Sequence, residues 1–147
     1  MVPKLMKAGI DPTSVEYMDN SYVRGCADYC HYKDIPHYDD GIYVIITVET
    51  FHEDELDTKM DAVCTICEES GAAEVLEADD RVWNMRRNCQ TSVELQSKVF
   101  LTDDVVVPVH KIAGTIEKSW TSARTIPLKS RSTPISATAT CTSSSAR

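Results

Sequence analysis

The hydrophobic pattern is densest between Ile42 and Arg87, where the spacing of apolar positions changes twice. Ile42, Val44, Ile45, Ile46 and Val48 form a β-branched run bounded by the turn Asp39-Asp40-Gly41, which predicts a buried strand. Thr50 followed by Glu53 has capping-box spacing. From Leu56 the apolar positions Leu56, Met60, Val63, Cys64 and Cys67 recur at helical intervals until Gly71 supplies a stop. The segment Glu74–Ala78 reads as a short strand. Asp79-Asp80 then opens a helix with Val82, Trp83 and Met85 on one side and Arg86 and Arg87 near them. The predicted unit is β-α-β-α.

Outside this unit the pattern is weaker. Val2–Ile10 fits about two helical turns, stopped before Pro12. Ser14–Met18 alternates as a first or edge strand. Asp19 or Asn20 caps a helix running through Tyr22, Val23, Cys26, Tyr29 and Cys30, against the helix-weakening effect of Gly25. The mixed polar stretch His31–Asp40 is a loop. The Trp83 helix continues through Leu95 to about Lys98. In Val99–Val109 the run Val105-Val106-Val107 favours a strand ended by Pro108, and Lys111–Lys118 reads as a last helix. From Thr121 the residues are mostly Ser, Thr, Ala, Arg and Pro. Such a segment buries too little surface to offset its ordering entropy, so the chain divides into a domain over residues 1–120 and a disordered tail over 121–147.

A chain of 147 residues suits one domain with a modest core. Its net charge of -8 is unevenly placed, because residues 121–147 carry Arg124, Lys129, Arg131 and Arg147 and no acid. The body before them holds 11 basic and 23 acidic side chains, which leaves no phosphate-neutralising stripe and argues against nucleic acid as a partner. No apolar run reaches membrane-spanning length, and the N-terminus lacks the core of a secretory signal, so the expected location is cytoplasmic.

Six cysteines in such a setting are not a disulfide framework. Cys64 and Cys67 have CxxC spacing, and Cys26 with Cys30 completes a four-thiolate set on paper. Both pairs fall on apolar helix faces, where packing explains them better than zinc or mid-helix redox chemistry. His31, His37, His52 and His110 show no ligand spacing. The acids Glu53-Asp54-Glu55 and Asp79-Asp80 sit at helix starts, where the backbone dipole favours them. No glycine-rich phosphate loop or nucleophile elbow is present, so the chain offers no self-sufficient catalytic residues. Arg86 and Arg87 beside Trp83 are the candidate small-carboxylate site, weighed against ordinary surface ion pairing.

Three phrases carry a family resemblance: LMKAGIDPTSVEYMD at Leu5–Asp19, EESGAAEVLEADD followed by the W-x-x-R of Trp83 and Arg86, and DDVVVPVHKI at Asp103–Ile112. In order and spacing they resemble the C-terminal domain of FAD-linked oxidases, the group of the glycolate oxidase flavin subunit, D-lactate dehydrogenases and D-2-hydroxyglutarate dehydrogenase. The resemblance implies an α+β fold of ferredoxin-like split β-α-β motifs. It implies FAD bound by a separate domain or subunit, oxidation of a small 2-hydroxy acid with hydride passing to the flavin, and Arg86 as the substrate-carboxylate clamp. A lysine used by some relatives is replaced near Thr102.

The resemblance further places Met1 inside the C-terminal domain, so the chain is expected to be a fragment without its flavin-binding domain and inactive alone. The family's next motif, H-x-G-D-G-N-x-H, whose histidines hold a divalent metal in some members, is absent from its place. Shifted one base earlier, the codons permitted for Pro134–Ser143 allow His, Leu or Ile, Gly, Asp, Gly, Asn, Leu, His, Val. That predicts a frameshift between about Lys118 and Thr133, with the tail as out-of-frame translation. The competing reading is a stand-alone ferredoxin-like binding or regulatory module without redox activity. A zinc protein built on Cys26, Cys30, Cys64 and Cys67 is the third.

Overall fold

The computed structural model describes residues 1–96, 105–125 and 138–142. In chain order the elements are α1 (Val2–Lys7), β1 (Ser14–Met18), α2 (Asn20–Tyr29), β2 (Tyr43–Thr47), α3 (Glu53–Glu69), α4 (Asp80–Arg87), α5 (Cys89–Gln96), a 3-10 turn (Val109–Lys111), α6 (Ile112–Thr125) and β3 (Thr138–Thr142). The fold is α+β. β1 and β2 run antiparallel, and the strand order is β2-β1-β3.

Contacts gather into two units. Among the described residues the first comprises 1–16, 44–78 and 140–142. Its core is the buried set Leu5, Ile10, Val63 and Cys67, against which Ile46, Val48 and Val75 pack. The helical spacing of Val63 and Cys67 puts them on one face of α3, and α1 supplies Leu5 opposite. Three acids fill the first turn of α3, where the helix dipole favours them. Gly71 ends that helix at φ +91°, a left-handed geometry that glycine adopts without a Cβ penalty. The amide of Ala72 then satisfies the carbonyl of Cys67 at 3.1 Å. Here Thr50 does not cap: its hydroxyl donates to Glu55 at 2.9 Å, and His52 holds the cap position.

Among the described residues the second unit comprises 17–43, 79–96, 105–125 and 138–139. Asp19 caps α2 by accepting the Tyr22 amide at 2.9 Å, and Asp79 caps α4 by accepting the amides of Arg81 and Val82. α2 packs against α4 and α5, burying Val23, Cys26, Ala27, Met85, Cys89 and Ser92. The loop after α2 is tied down by Asn20, whose side-chain amide donates to the carbonyls of Tyr38 and Gly41 at 3.0 and 3.2 Å.

Several expected elements are corrected. Glu74–Ala78 forms no strand: Val75 alone turns to the core while Leu76 is 62% exposed, so the run has one apolar anchor and no ladder. The predicted β-α-β-α unit therefore loses its second strand, and the described strands do not make up a ferredoxin-like split β-α-β. Val105–Val107 is likewise irregular, with Val106 97% exposed, because a β-branched run without a neighbour gains nothing from extension. The Trp83 helix breaks at Asn88, whose side-chain amide donates to the Asn84 carbonyl at 2.8 Å and competes with the helical ladder. α1 stops at Lys7, three residues before the expected end, with Gly9 at φ +76°. Within the span read as a disordered tail, residues 121–125 finish α6 and 138–142 form β3, whose Thr138, Thr140 and Thr142 suit a strand. The rest of that span and Thr102 lie outside the described residues, as does the frame-shift region beyond Thr125.

Candidate functional site

α4 separates the two candidate arginines. Arg86 is half-buried and Arg87 exposed, because residues one apart on a helix point about 100° away from each other. Arg86 lies close enough to Tyr22, Cys26 and Cys89 for its charge to favour the ionised form of all three, opposing the net rise at Tyr22 and Cys89 and adding to the fall at Cys26. Helical spacing assembles this cluster. Tyr22 and Cys26 are four apart on α2, Cys89 and Ser92 three apart on α5, and Met85 and Cys89 four apart across the Asn88 break.

Within the cluster, Cys26 Sγ lies 2.9 Å from Cys89 Sγ and 3.2 Å from Ser92 Oγ. The Ser92 hydroxyl donates to the Cys89 carbonyl at 2.7 Å. The Cys89 thiol also reaches the Met85 carbonyl at 3.3 Å. The Cys26 thiol is held below its ordinary value first by its hydrogen bond with Cys89 and then, against the opposing effect of burial, by that with Ser92. The Cys89 thiol is pushed up, first by its bond to Cys26 and then by burial. Burial also raises the Tyr22 phenol, helped by the facing Cys89 and Cys26. A half-buried guanidinium beside a phenol and a thiol pair can hold an anion.

A groove of about 520 Å³ runs along α2 and α5, lined among others by Asn20, Arg24, Asp28, Ser92 and Gln96. Arg86 is not in that lining, and the cation there, Arg24, stands over the Tyr38 ring at 5.3 Å. A second, smaller hollow holds Arg81, which is already committed to Asp79 at 2.8 Å and to Asp34 at 3.3 Å and stacks on Tyr32 at 4.4 Å.

Cys26 on α2 and Cys67 on α3 are buried, while Cys64 on α3 and Cys30, which follows the last residue of α2, are half-buried. Among the described residues no group of three or more His, Cys, Asp or Glu could hold a metal ion. All four histidines are exposed. No described helix is long and apolar enough to cross a membrane. Residue patterns alone had missed Cys89, Ser92 and Tyr22. The signal for them was the i, i+4 spacing of Tyr22 with Cys26 on α2 and the i, i+3 spacing of Cys89 with Ser92 on α5.

The described residues form no glycine-rich phosphate loop for FAD: Gly25 and Gly114 lie inside α2 and α6, and a Cβ on Gly41 would meet the His37 carbonyl at 2.6 Å. Gly9 and Gly71 serve instead as helix terminators. A family model for FAD linked oxidases, C-terminal domain, matches residues 1–125. No curated protein and no solved structure matches the chain.

Proposed function

The chain belongs to the family of FAD linked oxidase C-terminal domains, and from that premise we propose that it forms the substrate-side domain of an enzyme oxidising a small 2-hydroxy acid. The family makes the complete enzyme an FAD-dependent oxidoreductase. Since the residues described here offer FAD no cradle, the flavin sits on a separate domain or subunit in this reading, and the present chain contributes recognition. Arg86 clamps the substrate carboxylate. The observation that carries this role is its half-buried position on α4 near Tyr22, Cys26 and Cys89, where a planar cation is partly desolvated and a carboxylate gains more than it would at an exposed arginine. Substrates of the glycolate and D-lactate type fit because they are small and singly charged. A cytoplasmic setting belongs to the same proposal and accords with the free cysteines among the described residues.

The test is titration of the isotopically labelled chain with glycolate and with D-lactate, followed by amide shifts of α4. Saturable shifts centred on Trp83–Arg87 are expected. Arg86→Gln should weaken binding roughly 10- to 100-fold, the worth of one charge-assisted hydrogen bond, while Arg87→Gln leaves it nearly unchanged. Equal losses from both substitutions, or shifts unaffected by Arg86→Gln, would remove Arg86 from the role. Co-expression with a flavin-binding domain of the family tests the partner: a yellow complex supports it, and a colourless chain that fails to bind that domain sinks it.

A further inference from the structure

Cys26 and Cys89 come from segments 63 positions apart and meet sulfur to sulfur at 2.9 Å in the packing of α2 against α5. Both are buried, at 0% and 1% exposure. Packing alone would be served by any small hydrophobe. These thiols instead share a polar arrangement, with the Ser92 hydroxyl 3.2 Å from Cys26 Sγ and donating at 2.7 Å to the Cys89 carbonyl. Neither is part of a metal-holding group among the described residues. Ser92 and Gly25, the latter adjacent to Cys26 in the chain, line the groove of about 520 Å³ along the same two helices, so the pair lies directly behind its wall.

From this juxtaposition we infer that Cys26 and Cys89 form a peroxide-oxidisable dithiol, whose product is an intramolecular disulfide tying α2 to α5. The Cys26 thiol is the first to ionise, because Cys89 Sγ and Ser92 Oγ lie 2.9 and 3.2 Å from its sulfur and can turn their protons from the Met85 and Cys89 carbonyls to a thiolate there. Its thiolate attacks one oxygen of hydrogen peroxide. The S–O bond forms, the O–O bond breaks, and the departing hydroxide takes a proton and leaves as water. Cys89 Sγ then attacks the sulfenic sulfur of Cys26. The S–S bond forms, the S–O bond breaks, and the hydroxyl leaves as a second water with the Cys89 proton. Two electrons pass from the two thiols to the peroxide, giving one disulfide and two waters.

The native chain itself is the reagent for the test. It is treated with hydrogen peroxide, its remaining thiols are blocked with N-ethylmaleimide, and it is digested and mapped without reductant. The expected product is a linked peptide joining Cys26 to Cys89, lighter by two hydrogens and released by dithiothreitol, with Cys30, Cys64 and Cys67 carrying maleimide. The variant Cys30→Ala should give the same linked peptide in undiminished yield. Maleimide on both Cys26 and Cys89 after peroxide would overturn the inference, and so would a dominant link from either of them to another cysteine. The mapping of the native chain needs no substitution in the packed cluster, so a variant that fails to fold does not protect the idea.

Discussion

Tyr22 shows how one side chain reports on the whole Arg86 cluster. Its phenol is held well above the ordinary tyrosine range, first by burial and then by the facing Cys89 and Cys26, with Arg86 opposing. A group whose folded pKa is raised binds its proton more tightly in the folded chain than in the unfolded one. The stability it contributes is therefore complete below the unfolded value, about 10 for tyrosine, and is lost as pH rises beyond it. Cys89 acts in the same direction from its own unfolded value upward, and Cys26, whose pKa is lowered, acts in the opposite one. Tyr17 and Tyr32 are also raised, so the wild-type slope has several sources. Subtraction isolates Tyr22: the urea midpoint of the native chain should fall between about pH 8 and about pH 11, and that of Tyr22→Phe should fall less steeply. Parallel slopes for the two proteins would mean that Tyr22 ionises as freely folded as unfolded. The aromatic character of this residue was plain from its helical pattern, but its role was not, because the partner thiol at Cys89 arrives from a segment that periodicity cannot place in space.

Gly25 tests the reading of α2 at the level of the element. The glycine weakens a helix interior by about 0.5–1 kcal/mol relative to alanine, and the helix forms nonetheless because Asp19 caps it and its inner face packs on α4 and α5. A Cβ here would meet Gln96 Nε2 at 2.3 Å, the far end of a flexible and exposed side chain that can swing away. Gly25→Ala is therefore expected to stabilise the chain by about 0.5 kcal/mol, and Gln96→Ala added to it to bring the gain closer to about 1 kcal/mol. A loss in both variants by urea titration would show that the close approach of α5, rather than chance, requires glycine at this position. What could be read from residue order divides along the same line. Helix starts at Asp19 and Asp79 and the stop at Gly71 depend on a few adjacent residues and were legible. Glu74–Ala78 and Val105–Val107 failed as strands because a strand exists only with a neighbour to pair, and local β-propensity does not supply one. Arg86 was legible as a cation on a helix beside Trp83; that Arg86 and not Arg87 turns inward depends on which face α2 and α5 cover.

For the molecule as a whole, burial falls into two cores, one around Leu5 with Val63 and Cys67, the other around Met85 with Cys26 and Cys89. Leu5 and Met85 are each 0% exposed, so truncating either to alanine removes a full side chain from a packed site and leaves a cavity. Each substitution is expected to cost about 2–5 kcal/mol, a large part of the stability of a domain this size. The two losses should be read in different places. Leu5→Ala removes the contact between α1 and the Val63–Cys67 face of α3, so amide exchange should accelerate first in those two helices. Met85→Ala opens the packing of α4 on α2 and α5, and exchange should accelerate there. The functional reading adds a second readout, because Arg86 follows Met85 on the same helix. A chain carrying Met85→Ala should lose glycolate-induced shifts at α4 along with protection, whereas Leu5→Ala at a temperature where it remains folded should keep them. If Leu5→Ala abolished those shifts while α4 stayed protected from exchange, carboxylate recognition would not belong to the Arg86 cluster, and a site drawing on the Leu5 core would have to replace it.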